Sequence, residues 1–146
     1  MDILRVHNAI VRDQIAAHGG FEVKSQGDGF MVAFGSARRA LQCAITLQRA
    51  FAEHNRVAEE PIQVRIGLHT GEAIKEADDF YGHHVNLAFR IADQAHGREI
   101  LVSSLLKELT DSAGEFEFDE GRQLSLKGLS GLQRVFQVRW QDLPDR

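Results

Sequence analysis

The stretch "FEVKSQGDGFMVAF", Phe21 to Phe34, constrains the chain more than any other. Phe21 and Val23 alternate with polar residues on one side of Gly27-Asp28-Gly29, and Phe30, Val32 and Phe34 alternate on the other. Period-two alternation interrupted by a glycine turn is the pattern of a β-hairpin. Helical patterns flank it. From Asp2 to His18, the apolar Ile3, Leu4, Ile10, Val11 and Ile15 fall on one helical face with Arg5, Arg12 and Asp13 elsewhere, and Gly19-Gly20 stops the pattern. On the far side, Ser36 is a good N-cap for a helix with Ala37, Ala40, Leu41, Ala44, Leu47 and Phe51 at helical spacing, running to Asn55.

Beyond a polar connection that holds Pro61, Ile62, Val64, Ile66 and Leu68 alternate in "IQVRIGLHTG" and predict a strand. From Gly82, "HHVNLAFRIADQAHG" reads as a helix stopping at Gly97. A strand "EILVS", a helix "SLLKELT", and strands near Glu115 to Phe118, Gln123 to Leu126 and Arg134 to Trp140 follow. This order resembles a ferredoxin-like βαββαβ unit, an α+β fold, with its first β-strand missing and additional C-terminal α/β elements. In that fold the first strand lies in the middle of the sheet, so its loss strands the backbone groups of two others. The expectation is therefore one domain over residues 1–146, truncated at its N-terminal end. Its gap would be closed by direct pairing, by exchange between protomers or by a partner strand.

Composition narrows the function classes. A net charge of -4 with scattered basic residues offers no footprint for a nucleic-acid backbone. A lone cysteine, Cys43, excludes an internal disulfide and reads as a small core residue, and no signal peptide or spanning apolar run is present. These features predict a cytoplasmic chain, or the cytoplasmic domain of a larger protein, with no membrane contact of its own. Each polar candidate has a plain reading from its own residues. Asp28 serves a turn, Lys24 protects a strand edge, Asp79 is a solvated acid beside Asp78, Asn86 is a helix residue, and Arg90, Lys127 and Arg65 are surface charges. Adjacent His83 and His84 diverge by about 100° on a helix and do not share a metal.

Four segments, "KSQGDGFMVAF", "VRIGLHTGEA", "DDFYGHHVNLAFRIA" and "LKGLSG", occur in the order and approximate spacing of the class III nucleotide cyclase catalytic domain. The chain resembles that family from Asp2 to Trp140. The resemblance implies an adenylyl cyclase domain that converts ATP to 3′,5′-cyclic AMP and pyrophosphate by attack of the ribose 3′-hydroxyl on the α-phosphorus. It implies two Mg²⁺ or Mn²⁺ ions per complete site, acting on attacking and leaving oxygens. Asp28 matches one of the family's two metal aspartates; the other belongs to the missing strand, and Asp2, at a helix start, does not replace it.

Lys24 and Asp79 match the family's adenine readers, a donor-only and an acceptor-only group suited to adenine's ring nitrogen and exocyclic amine. Asn86 and Arg90, four apart and so on one helix face, match the residues that orient the ribose and stabilise charge on the α-phosphate. Lys127 and Arg65 match cations for the other phosphates. Phe89 departs from the small residue the family commonly places there. The resemblance further implies a homodimer with composite active sites and a sensor domain fused elsewhere in the parent protein. Two readings from other classes stand beside this one: a non-catalytic cyclase-homology module that dimerises or binds nucleotide, and a ferredoxin-like interaction domain, against whose nucleic-acid version the acidic balance argues.

Overall fold

Helix α1 (Ile3–Ala17) opens the computed structural model, which describes residues 2–71, 74–76, 79–81, 83–112, 114–127 and 131–141, without the side chains of 74–76, 79–81 and 83–84. Asp2 caps the helix, its carboxylate accepting the Leu4 N–H at 3.1 Å. Gly19 and Gly20 close it as expected, with Gly20 N–H donating to Ile15 O and Gly19 N–H to Ala16 O, the paired bonds of a Schellman motif. The buried face is His7, Val11 and Ile15, whereas Ile3 and Leu4 are exposed. Spacing by fours extends the Val11–Ile15 stripe back to His7 rather than to the first turn. The His7 ring lies 5.5 Å from that of Phe51 and 6.0 Å from that of Phe30, with Nδ1 2.8 Å from Asn8 Oδ1.

The hairpin forms from β1 (Phe21–Gln26) and β2 (Gly29–Ala33), paired from Phe21↔Ala33 to Gln26↔Gly29. Gly27 takes φ +61° as the first central residue of the turn, where a type II′ turn demands glycine. A bulge at Val23 breaks the simple alternation, since Glu22 pairs with Val32 and Lys24 with Met31. Arg12 ties the hairpin to α1 through Glu22 at 2.9 and 3.1 Å and lies 5.2 Å from the Phe30 ring centroid. That hydrogen bond holds the Glu22 carboxyl below its usual range.

Ser36 caps α2 (Ala37–Asn55) by accepting the Arg39 N–H at 3.2 Å. Cys43 is buried as expected, and burial pushes its thiol up to about 11. The strand expected from Ile62 is confined to β3 (Ile66–Leu68). Asn55 occupies the backbone of Ile62 instead, accepting its N–H at 2.8 Å and donating to its carbonyl at 2.7 Å. Buried Gln48 likewise donates to Val64 O and Glu99 O at 3.1 and 3.2 Å.

Next come β4 (Ile74–Glu76) and β5 (Asp79–Tyr81), an antiparallel pair the sequence did not announce, and α3 (His83–Gln94). Gly82, the expected start of that helix, lies outside the described residues. Strand β6 (Ile100–Ser103) leads into α4 (Ser104–Asp111), capped by Ser103, and β7 (Arg122–Ser125) and β8 (Leu132–Gln137) follow. Residues Glu115 to Phe118 make only an isolated bridge, Phe118↔Val138, rather than the expected strand. β8 ends at Gln137, short of Trp140.

The main sheet has the order β3-β6-β8-β7, with β3 and β6 parallel and the other neighbours antiparallel. β6 is covered on both faces: Ile100 and Val102 join Leu41, Ala44 and Leu106, and Leu101 joins Leu87, Ile91 and Ala95 of α3. Among the described residues no ladder links the β1-β2 hairpin to this sheet, so β2 and β3 do not pair directly. Phe30 and Val32 pack instead against a cluster of Val11, Ile15, Phe51 and Ile62.

α3 presses on β3 at one glycine. A Cβ on Gly67 would stand 2.4 Å from the backbone N and 2.7 Å from the Cα of Ala92. Gly67→Ala must push the helix off the strand, with an expected loss of about 1–3 kcal/mol. Gly35→Ala, with nothing within 4 Å of the added carbon, should stay within about 0.5 kcal/mol of the native protein. Thermal melts of the two variants check the contrast; equal melting temperatures would contradict it.

Candidate active site

Helix α3 organises the site because its two flanks are taken by the core. Leu87, Ile91 and Ala95 are buried against Leu101, Leu126 and Val135, and Ala92 backs onto Gly67. The remaining arc carries Asn86, Phe89, Arg90 and Asp93, which span about 100°. Asn86, Phe89 and Asp93 are exposed and Arg90 is half-buried.

Arg90 Nη1 lies 3.8 Å from Asp93 Oδ2, a loose surface pair that holds the guanidinium weakly. Its planar fork is therefore available to an oxyanion. Arg65 reaches the same turn, donating from Nη1 to Asp93 O at 3.4 Å, and so satisfies one of the carbonyls left open at the end of α3. Two of the predicted cations thus flank Asp93. Lys127 is exposed and directly follows Leu126, whose side chain is buried with Leu87 and Ile91; the end of β7 carries this lysine to the flank of α3. The glycine loop after it, 128–130, lies outside the described residues.

Lys24 stands exposed on β1 opposite Met31, next to the Val23 bulge. Asp79 is the first residue of β5, and its side chain, like those of His83 and His84, lies outside the described residues. β5 touches both β1 and α3. The strand of Lys24, the strand of Asp79 and the helix of Asn86 and Arg90 are thereby neighbours in that order. Sequence reasoning missed this hairpin, and its signal is faint: each strand has only three residues.

Asp28 sits exposed at the tip of the first hairpin. Among the described residues no group of three or more His, Cys, Asp or Glu side chains gathers to hold a metal ion. Magnesium is commonly held by one or two carboxylates together with substrate phosphates. Asp28 fits that use, as a protein ligand for an ion that arrives with a triphosphate, and it does not by its own make a resident cage. His69 joins the end of β3 to the cap of α4, with Nδ1 2.6 Å from Ser103 Oγ.

Comparison with known proteins gives the class of this α+β domain. Residues 1–139 match the family described as the adenylate and guanylate cyclase catalytic domain, and the chain belongs to that family. The adenylate cyclase of Mycosarcoma maydis is 33% identical over 140 residues, covering 78% of this chain and 6% of that protein. The adenylate/guanylate cyclase/hydrolase from Silicibacter pomeroyi superposes with a TM-score of 0.83 at 29% identity, over 99% of this chain and 87% of that one. The guanylyl cyclase Cya2 superposes with a TM-score of 0.80 at 27% identity, over 92% of this chain and 77% of that one. The fold is that of the cyclase catalytic domain, and the chain spans only a small part of the fungal relative. Among the described residues no helix is long and apolar enough to cross a membrane.

Proposed function

We propose that this domain is an adenylyl cyclase, forming 3′,5′-cyclic AMP and pyrophosphate from ATP at sites shared between two copies of the chain. The observation that supports this reading is the neighbourhood of three elements: β1, the strand of Lys24; β5, which begins at Asp79; and α3, which carries Asn86 and Arg90. Lys24 donates to an adenine ring nitrogen and Asp79 accepts from the exocyclic amine. Asn86 holds the ribose, and Arg90 takes the α-phosphate oxygens, where negative charge builds during attack. Lys127 binds the remaining phosphates, and Arg65 joins it by exchanging its bond to Asp93 O. Two Mg²⁺ or Mn²⁺ ions per complete site, when bound, supply Lewis-acid help to the attacking and leaving oxygens, with Asp28 as one protein ligand.

In a two-fold homodimer, Asp28 of one protomer faces Asn86 and Arg90 of the other, giving two equivalent sites. A fused sensor elsewhere in the parent protein and a cytoplasmic location, where ATP is supplied, complete the proposal. A second reading is a cyclase-homology module that pairs with another domain without turnover, and it fits a sequence in which Asp28 alone matches the family's two metal aspartates.

Purified protein incubated with ATP and Mn²⁺ should yield cyclic AMP. Lys24→Glu combined with Asp79→Cys should move preference toward GTP by at least about tenfold, because the exchanged donor and acceptor no longer fit the adenine edge. Unchanged ATP preference would reject the two base readers. No cyclic nucleotide at high protein concentration would favour the non-catalytic module.

A further inference from the structure

Among the described residues β4 and β5 pair only with each other, from Ile74↔Tyr81 to Glu76↔Asp79. A two-stranded hairpin is marginal by itself, so this one takes its place in the molecule from the surfaces it touches and from the chain at its two roots. β5 touches β1 and α3, and one root is short, since β5 ends at Tyr81 and α3 begins at His83. The other root is the chain that leaves β3 at Leu68, and its first residue is His69.

His69 Nδ1 lies 2.6 Å from Ser103 Oγ, and the same oxygen accepts the Leu106 N–H at 3.2 Å to cap α4. Ser103 is buried at the end of β6, the strand covered on both faces. Next to the imidazole, His69, Leu87, Ile91, Leu105 and Val135 line a cavity of about 130 Å³. On that side polar contact rather than close packing orients the ring.

We infer that His69 is a positioning residue for base selection: its bond to Ser103 ties the root of the hairpin that carries Asp79 to the main sheet. The inference rests on the proposed assignment of Asp79 to the exocyclic amine. A base reader discriminates only when its place is fixed, because a hydrogen bond weakens steeply as donor and acceptor separate or turn. The strand of Lys24 is held independently, by pairing with β2 and by the Arg12–Glu22 bond to α1. Asn86 and Arg90 ride on α3, which Leu87, Ile91 and Ala95 anchor in the core. A loosened root therefore shifts Asp79 relative to Lys24 and leaves the ribose and α-phosphate groups in place.

The test compares His69→Ala, His69→Asn and His69→Gln in the full chain, with cyclic AMP and cyclic GMP both measured. The amide of asparagine stands close to the position of Nδ1, whereas that of glutamine reaches toward Nε2. His69→Ala should cut the ratio of kcat/KM for ATP over GTP by about three- to tenfold, the effect of one lost hydrogen bond, mostly through a raised KM for ATP. Its kcat at saturating ATP should stay within about threefold of native. His69→Asn should recover the ratio to within about twofold, and His69→Gln should not. Hydrogen exchange supplies a readout independent of turnover: the β4 and β5 amides of His69→Ala should exchange about three- to tenfold faster while those of α2 keep their native rates.

Native base preference in His69→Ala would overturn this inference, and cyclic AMP formation by the same protein would leave the cyclase reading intact. Faster exchange of the hairpin with an unchanged ATP-to-GTP ratio would show the tie to be structural only and overturn it equally. A ratio restored by glutamine as well as by asparagine would exclude Ser103 as the partner through which His69 acts, with the same result. A native protein that forms no cyclic nucleotide would end the cyclase reading, and this assignment with it.

Discussion

Arg90→Ala should lower kcat for the proposed cyclic AMP formation by about 10²–10³-fold, the usual loss when a group that stabilises transition-state charge is removed. KM should change by less than about threefold, because a contact that strengthens mainly in the transition state contributes little to ground-state binding. The structure gives a reason to expect a clean result. Arg90 is only half-buried, and its ion pair among the described residues, to Asp93 at 3.8 Å, is loose, so truncation there leaves no buried charge unpaired. The fold should survive, because α3 is anchored by Leu87, Ile91 and Ala95 on another face. Arg90→Lys keeps the charge and loses the planar fork, and should recover no more than about a tenth of native kcat. A ten-fold or smaller loss in Arg90→Ala would remove this residue from the chemistry.

Mixing two dead proteins should restore activity. Asp28→Ala and Arg90→Ala each disable both sites of a homodimer, yet a mixed dimer holds one site with both residues native and one with both lost. At equal concentrations with random exchange, half the dimers are mixed and half their sites work, so roughly a quarter of native activity should return. The expectation follows from the proposed dimer, in which Asp28 at the hairpin tip serves one site and Asn86–Arg90 on α3 the other; among the described residues β5 touches both β1 and α3. Assays of cyclic AMP across mixing ratios measure it. Recovery near zero, with dimer exchange shown separately, would place both residues in a site built within one chain.

How far the sequence could be read varied with the range of the interactions. The turn at Gly27-Asp28, the Ser36 cap and the stop at Gly19-Gly20 were all legible, because each depends on hydrogen bonds between residues a few positions apart. The pairing of Asn86 with Arg90 on one face was legible for the same reason, since helical spacing alone sets it. The β4-β5 hairpin was not. Its strands are three residues each, too short for alternation to declare itself, and they form where β1 and α3 flank them.

Local chemistry in the chain therefore specified its turns, its helix ends, its family motifs and which polar residues share a helix face. Which faces became core was another matter: His7 displaced Ile3 and Leu4 from the interior, Asn55 and Gln48 claimed backbone that alternation assigned to a strand, and Gly67 let α3 settle onto β3. Those outcomes turn on segments tens of residues apart meeting in space, and burial energy depends on the partner that covers a surface as much as on the surface itself. The arrangement that sets Lys24, β5 and the Arg90 helix side by side arises in that second way, from packing between distant elements.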